Sequence, residues 1–203
     1  MPSLTSATAL PRRPVLADAI PQARVRDATL VLAGALLTAL LAQIEVNVPP
    51  SPVPVTGQTL AVGLVGATLG ARRGAASLAL YALLGLFLPF YAGGESGWHV
   101  VWGASGGYIV GFVFAAAAIG WMAERGADRR ALAAFAAFVI GQLIVFAFGL
   151  AGLKLAVGES WGWTIHNGFS IFVVGGLVKA LVAALVLPSA WTLVRRFEGL
   201  YGP

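Results

Sequence analysis

Six long apolar segments, separated by short polar ones, constrain this chain more than any other feature of its sequence. Hydrophobic residues fill 59% of the 203 positions, charged residues fill 10%, and the mean hydropathy is +0.86. In an ordinary soluble protein about a quarter of the residues are charged. A soluble fold of this length cannot hide so much apolar surface, so the composition predicts a chain that folds in a lipid bilayer.

The apolar segments suit helices that cross a membrane, which need about 20 mainly apolar residues each. The predicted spans are 28–46, 57–71, 74–92, 104–123, 131–154 and 167–194. A tight turn, Gly70-Ala71-Arg72-Arg73-Gly74, separates the second span from the third. The sixth span starts with polar residues, which predicts that its outer end is irregular or lines a cavity. The sequence thus predicts an all-α membrane protein with six transmembrane helices.

The basic residues predict how these helices are oriented, because cytoplasmic segments carry an excess of lysine and arginine. With six spans and both termini inside, eleven of the thirteen basic residues are cytoplasmic, and five or seven spans would spoil this partition. The eleven are Arg12, Arg13, Arg24, Arg26, Arg72, Arg73, Arg125, Arg129, Arg130, Arg195 and Arg196. We therefore predict a flexible cytoplasmic tail at 1–27, a six-helix transmembrane domain at 28–196 and a cytoplasmic tail at 197–203.

Several functions are disfavoured by the same composition. The net charge of +5 does not indicate a nucleic-acid partner, because the basic residues are scattered between apolar runs and form no basic face. The chain has no cysteine and two histidines far apart in sequence, so thiol chemistry is excluded. We expect neither a metal nor a cofactor.

Two unusual segments fall on the predicted outer face. Residues 47–56 contain four prolines, which prevent helix and favour a stiff extended path. Residues 93–107 combine glycines with Trp98 and Trp102. These tryptophans fit either an interfacial aromatic belt or a lid and stacking wall over a ligand pocket. The presence of both loops on one face favours the pocket, because functional loops cluster on a rigid scaffold.

Lys179 is the most informative single residue, because it lies inside a predicted span. Sixteen residues separate it from Arg195, which is about 24 Å of helix. In a hydrocarbon core about 30 Å thick the lysine is therefore in the outer half, at a cost of about 3 kcal/mol without a partner. It either snorkels to the outer interface or lies in a cavity, where an anionic ligand offsets its charge or hydrogen bonds hold it in the deprotonated form.

Other polar side chains are predicted at comparable depth: Gln43 on the first helix, Gln58 and Thr59 on the second, and Tyr108 on the fourth. Each fits an interhelical hydrogen bond or a ligand contact. Gln43, Gln58 and Tyr108 approach the outer side with the lysine, where they would converge on one cavity. Gln142, on the fifth helix, is placed in the cytoplasmic half and assigned a structural role.

The first helix carries two small residues four positions apart, Ala35 and Ala39. This spacing puts both on one face and permits close contact with another helix. The pattern fits packing within the chain and docking to a partner helix equally well.

Several linked motifs follow one another along the predicted membrane domain. They are Pro52-Val53-Pro54-Val55-Thr56-Gly57-Gln58-Thr59-Leu60, Gly70-Ala71-Arg72-Arg73-Gly74, Tyr91-Ala92-Gly93-Gly94, Gly103-Ala104-Ser105-Gly106-Gly107-Tyr108 and Gly111-Phe112. In order, spacing and topology, from about residue 28 to 196, these motifs resemble the BioY family, which supplies the substrate-binding S component of energy-coupling factor (ECF) biotin transporters.

The resemblance implies a six-helix S-component fold in the cytoplasmic membrane that captures biotin from outside. It also implies partners, namely a transmembrane coupling subunit and ATPase subunits that drive release inward. The face with Ala35 and Ala39 matches the surface by which such components dock to the coupling subunit. The biotin ring would lie against Trp98, Trp102 or Tyr108, and its carboxylate would meet Lys179 or backbone amides.

The sequence departs from the family at one informative position. The family's last helix resembles Gly-Asp-Leu-Ile-Lys, whereas this chain has Gly175-Gly176-Leu177-Val178-Lys179. An aspartate is an obvious acceptor for a ureido N–H, and here Gly176 stands in its place. Gln58, Asn167 or backbone carbonyls are candidate replacements, and a related S component for another small vitamin stays open.

One alternative comes from a different class, an intramembrane serine protease of the rhomboid type. Gly103-Ala104-Ser105-Gly106 fits a Gly-x-Ser-Gly pattern at the start of the fourth span, and His166 opens the sixth. A serine nucleophile needs a base within hydrogen-bond reach. However, the second span has no histidine or asparagine to stabilise an oxyanion, so we expect no enzyme activity.

Overall fold

Helices make up most of the chain in this computed structural model, which describes residues 15–19 and 23–201. They are α1 (Ala23–Ala42), α2 (Gln58–Leu84), α3 (Trp98–Val101), α4 (Gly106–Ala123), α5 (Ala131–Val157), α6 (Trp161–Gly168) and α7 (Val173–Tyr201). Apolar runs rich in leucine, alanine and valine favour this architecture, because a helix pairs its own backbone polar groups in a medium that offers no water.

The helix α2 consists of two antiparallel arms, 58–69 and 71–84, that meet at Gly70. The φ angle of Gly70 is +82°, a conformation that glycine adopts without steric cost, and it interrupts the helix at this point. At the far end of the arms, Gln58 Nε2 donates to the Tyr81 hydroxyl at 2.5 Å, so the two arms run back along each other. The tight turn predicted between the second and third spans is confirmed.

Six helical rods therefore run through the molecule: α1, the two arms of α2, α4, α5 and α7. Among the described residues, four segments are long and apolar enough to cross a membrane by themselves, Val25–Ala42, Gly106–Ala123, Ala131–Val157 and Trp161–Val194. The arms of α2 are about 18 and 21 Å long and contribute the remaining two rods as a pair. The predicted all-α fold with six helices is confirmed.

The helix boundaries at the two ends of the membrane domain differ from the predicted ones. Helix α1 begins at Ala23, inside the predicted N-terminal tail, and α7 continues to Tyr201 through most of the predicted C-terminal tail. These differences arise because a helix can continue beyond its apolar stretch. Within the rest of the predicted N-terminal tail, Leu16–Ala19 form a 3₁₀ helix and Val15 is buried, whereas residues 1–14 and 20–22 lie outside the described residues.

The proline-rich loop and the start of the sixth span also have regular structure of their own. The loop is closed by a two-stranded antiparallel ladder, β1 (Glu45–Val46) with β2 (Val55–Thr56). The predicted irregular outer end of the sixth span is a separate short helix, α6, followed by a 3₁₀ turn at Ser170–Phe172. Both features belong to the same end of the bundle, because Ser51 Oγ donates to the Asn167 carbonyl at 2.8 Å.

Small residues allow the rods to pack closely. Helix α1 packs on α2, α2 on α4, α4 on α5, and α5 on α7, which also touches α2. A side chain at Gly107 of α4 would overlap the backbone at Gly152 of α5. Ala35 and Ala39 are 0% and 7% exposed in the folded chain. Of the two uses predicted for this small-residue face, the structure therefore shows packing within the chain.

Polar contacts identify the two ends of the bundle. At one end, which we call the arginine end, Arg73 pairs with Asp27 at 3.3 Å and Glu124 accepts the Ala71 backbone N–H at 2.9 Å. At the opposite end, the loop end, Gln43 Nε2 donates to the Tyr91 carbonyl at 3.1 Å. The long loops 43–57 and 85–105 lie at this loop end. The two ends therefore differ in charge as well as in structure.

The contact between α4 and the turn of α2 gives a stability prediction. A Cβ atom at Gly120 would lie 2.4 Å from backbone atoms of Gly70 and Ala71, which cannot move aside cheaply. Gly120→Ala should therefore lower the melting temperature of the protein in detergent, although alanine is favoured over glycine in a helix by about 1 kcal/mol. Gly162→Ala is the control, because its Cβ would have no atom closer than 4.0 Å. A Gly120→Ala protein that melts as high as the control would refute this packing.

Candidate functional site

A cavity of about 460 Å³ lies between α2, α4, α5 and α7 at the loop end. Its size falls within the range of small-molecule sites, about 300–1,000 Å³. Residues of the loops at 45–56 and 91–105 form its mouth, and side chains from the four helices form its inner wall. The cavity is therefore placed where the proline-rich and glycine-rich loops meet the helical bundle.

Lys179 supplies the cation of the inner wall. Its Nζ donates to the backbone carbonyl of Thr56 at 2.5 Å and to Thr59 Oγ1 at 2.9 Å. An ammonium group has three N–H donors, so these two contacts leave one donor free to act toward the cavity. The lysine is thus held by acceptors at the start of α2, in agreement with the cavity hypothesis and not with snorkelling.

The polar network continues from this point through Gln58. Thr56 Oγ1 donates to Gln58 Oε1 at 2.6 Å, and Gln58 Nε2 donates to the Tyr81 hydroxyl at 2.5 Å. Both ends of the Gln58 amide are therefore engaged within the protein, although the residue lines the cavity. Its first role is to join the two arms of α2 and to orient the acceptors that hold Lys179.

A second polar contact joins α5 to α7 beside the lysine. Gln142 Nε2 donates to the Gly176 backbone carbonyl at 2.8 Å, and both residues line the cavity. The Gln142 Oε1 atom lies 2.0 Å from the place where a Cβ at Gly176 would be. The glutamine amide therefore occupies the space that a side chain at position 176 would need.

Aromatic residues form the apolar side of the cavity. Tyr108 contacts Phe146 edge to face, with ring centroids 6.4 Å apart, and Phe172 at 6.3 Å. The Tyr108 hydroxyl donates to the Gly168 carbonyl at 2.7 Å, which fixes the ring. Together with Phe112 these rings give the site a rigid apolar face. Such a combination of apolar walls and a few fixed polar groups is typical of small-molecule sites.

The mouth of the cavity carries the charges. Glu45 lies there, and His99 Nε2 is 2.9 Å from Glu95 Oε2 on the exposed surface. Tyr91 is buried beneath these groups, and burial raises the pKa of its phenol. The hydroxyl therefore stays protonated at neutral pH and donates to the Ala82 carbonyl at 2.6 Å.

The structure brings some of the predicted site residues together and leaves others apart. Lys179, Gln58 and Tyr108 line the cavity. The predicted stacking wall of Trp98 and Trp102 does not form in this structure, because these side chains are 60% and 78% exposed and do not line the cavity. The helix α3, which begins at Trp98, holds them on the surface.

Gln43 and Asn167 are also outside the cavity wall. The Gln43 amide is bound to the carbonyls of Ala39 and Tyr91. Asn167 is buried in α6, where its Nδ2 donates to the Trp163 carbonyl at 3.0 Å. The Gln43 side chain thus joins α1 to the loop at Tyr91, and the backbone carbonyl of Asn167 joins α6 to the loop at Ser51.

Sequence reasoning missed parts of the wall. Gln142 was assigned to the cytoplasmic half, but it reaches the cavity because position 142 is near the middle of the 27-residue helix α5. Phe146 and Phe172 carried no distinguishing pattern, because phenylalanine is common throughout apolar helices. Counting residues from both ends of the fifth span would have placed Gln142 near the middle of the membrane, within reach of the cavity.

The protease hypothesis finds no support in the arrangement of its two residues. Ser105 lines the cavity, whereas His166 lies exposed on α6 and does not. No hydrogen bond joins the two side chains in the part of the chain that the structure describes. The two residues of the hypothesis are therefore not paired as a nucleophile and its base.

Comparisons with known proteins agree on one family. The sequence model of the BioY family matches residues 13–196. The biotin transporter BioY2 of Lactococcus lactis is 34% identical, over 77% of this chain and 85% of that protein. The biotin transporter BioY of Rhizobium etli is 36% identical, over 74% of this chain and 89% of that protein. The biotin transporter BioY of Thermotoga maritima is 35% identical, over 77% of this chain and 92% of that protein.

A solved structure shows the same fold. The crystal structure of the S component for biotin from an ECF-type ABC transporter superposes with a TM-score of 0.73 at 21% identity. The match covers 86% of this chain and 92% of that one. The six-helix S-component fold predicted from the sequence is thereby confirmed.

The acceptors that hold the lysine give a second stability prediction. Thr59→Val keeps the side-chain shape but removes one acceptor of the Lys179 ammonium, and a hydrogen bond to a charged group contributes about 1.5–3 kcal/mol. The ligand-free variant should melt at a lower temperature in detergent. Thr68→Val is the matched control, because the Thr68 hydroxyl donates only to the Leu64 carbonyl of its own helix. Equal melting temperatures for the two variants would show that the lysine does not depend on Thr59.

Proposed function

The chain belongs to the BioY family, and from this premise we propose that it captures biotin as the S component of an ECF-type transporter. The three relatives described above are biotin transporters by name, and the solved structure with this fold is an S component for biotin. The chain is a multi-pass membrane protein, as its apolar helices and its family both indicate.

The single observation that carries the proposal is the cavity at the loop end. It combines the free donor of Lys179 with an aromatic face in about 460 Å³. Biotin has the complementary parts, a compact fused ring system with a polar ureido group and a carboxylate chain. The rings would pack on the aromatic face around Tyr108 while the polar groups meet Lys179 and its neighbours. Gln43, Asn167, Trp98 and Trp102 would support the loops around the bound ligand.

The function is transport and not catalysis. Members of a transporter family carry their substrate unchanged. Ser105 lines the cavity without His166, whereas a serine protease would need the two side chains as a pair. The fixed hydrogen bonds of the inner wall bind and orient, which is what substrate capture requires.

The membrane and the orientation are part of the proposal. We place the chain in the bacterial cytoplasmic membrane with both termini in the cytoplasm. The arginine end, with Arg73 and Arg129, would face the cytoplasm by the positive-inside rule. The cavity would then open outward, because the loop end is opposite. This orientation is the one that captures a vitamin from outside the cell.

The partners would be an ECF transmembrane coupling subunit and ATPase subunits, which supply the energy for release inward. Ala35 and Ala39 are buried in the free chain, so a coupling subunit would first meet the exposed leucines on the neighbouring face of α1, such as Leu36 and Leu40. An apolar helix face of this kind suits contact with another membrane subunit.

Binding of biotin to the purified protein tests the proposal. The full chain in detergent should bind biotin, with quenching of tryptophan fluorescence as the readout. Lys179→Ala should weaken binding at least tenfold, about 1.4 kcal/mol. The other lysine of the chain provides the control, because Lys154 donates to the carbonyls of Gly158 and Glu159 outside the cavity.

Three outcomes of this titration are informative. Normal binding by Lys154→Ala and weak binding by Lys179→Ala support the proposal. Equal affinity of both variants would remove Lys179 from the site. A folded wild-type protein that ignores biotin at micromolar concentration would contradict biotin as the ligand and favour another small vitamin.

Cysteine labelling tests the orientation, since the natural chain has no cysteine. A cysteine introduced by Glu159→Cys, at the loop end, should react with a membrane-impermeant maleimide added to intact cells. One introduced by Arg130→Cys, at the arginine end, should react only after the cells are opened. The reverse pattern would contradict the proposed orientation.

A further inference from the structure

We propose that Gln142 determines ligand specificity by accepting a hydrogen bond from a ureido N–H of biotin through its Oε1 atom. The inference rests on the proposed function and names the acceptor within that site. It is carried by the geometry of Gln142 against Gly176.

The Gln142 amide has a fixed orientation. Its Nε2 donates to the backbone carbonyl of Gly176 at 2.8 Å. A carbonyl oxygen can only accept, so the amide NH₂ must face it, and the Oε1 atom lies at the place where a side chain of Gly176 would be. This one hydrogen bond therefore decides which end of the amide is presented to a ligand.

The Oε1 atom is free to act as an acceptor. It takes part in no hydrogen bond among the described residues, and Gln142 lines the cavity. The fully buried side-chain atoms without a partner do not include Gln142 Oε1, so this unpaired atom is at least partly open to the cavity. An unpaired acceptor held in one orientation in the cavity wall favours a ligand that brings an N–H group.

Gly176 makes this arrangement possible. A Cβ atom at this position would lie 2.0 Å from Gln142 Oε1, so any larger residue must displace the amide. At the neighbouring Gly175, a Cβ atom would meet only Val55 Cγ1, at 3.7 Å, which is an ordinary contact. Of these two glycines, only Gly176 must therefore lack a side chain for the Gln142 amide to keep its position.

The acceptor and a donor lie side by side. Gly176 and Lys179 are three residues apart on α7 and share one face of the helix. Gln142 Oε1 beside Gly176 offers one acceptor, and the third N–H of Lys179 offers one donor. A cyclic urea presents the complementary pair, an N–H and a C=O in fixed positions. The carboxylate of the same ligand has no N–H and could not satisfy Gln142.

The test compares biotin with biotin methylated on its ureido nitrogens, using the purified full chain in detergent. The wild-type protein should prefer biotin by at least tenfold. Gln142→Met, which keeps the length of the side chain, and Gln142→Ala, which leaves room for a methyl group, should both weaken biotin binding and narrow this preference to within about threefold. A purely structural role would lower stability without changing the preference.

The glycine pair gives the matched control. Gly176→Ala should lose the preference as the glutamine variants do, because it displaces the amide, whereas Gly175→Ala should keep the wild-type preference. If the wild-type protein binds biotin and both glutamine variants keep its preference, the role of Gln142 is refuted and the proposed function stands. If the folded wild-type protein binds no biotin, both proposals fall together.

Discussion

The ammonium group of Lys179 is the constraint on which the rest of this structure depends. A lysine within the hydrocarbon of a bilayer costs about 3 kcal/mol unless polar groups surround it. Here the Thr56 carbonyl and the Thr59 hydroxyl converge on it from the start of α2. These contacts join α7 to α2, and Gln58 carries the network on to Tyr81 in the second arm. The polar groups are thereby collected on one wall, which leaves the aromatic residues to form the other.

Close packing elsewhere keeps this arrangement rigid. At Gly107, Gly120 and Gly152 the helices approach so closely that added side chains would overlap a neighbouring backbone. Where the rods separate, at the loop end, the cavity remains. Gly176 takes part both in the close packing and in the cavity wall, because the space it leaves is filled by Gln142 from another helix. The polar group next to Gly176 of α7 is thus supplied by α5.

Much of the fold could be predicted from the sequence, and the site only in part. Hydropathy located the six rods, and the glycine at position 70 marked the turn within α2. Lys179 was recognisable because a charge inside an apolar span needs an explanation. The aromatic wall was not, since Phe146 and Phe172 look like any other apolar residue of a membrane helix. Trp98 was misleading, because the local helix α3 directs it to the surface and sequence gives no measure of that direction.

A structure of the protein with biotin bound would test the central claim most directly, that the polar wall around Lys179 and the facing aromatic rings form the binding site. The account predicts ligand density inside the cavity, with polar atoms of biotin within hydrogen-bond distance of Lys179 and Gln142 and its rings against Tyr108 or Phe146. Density for biotin outside the cavity, with the cavity empty at saturating ligand, would contradict it.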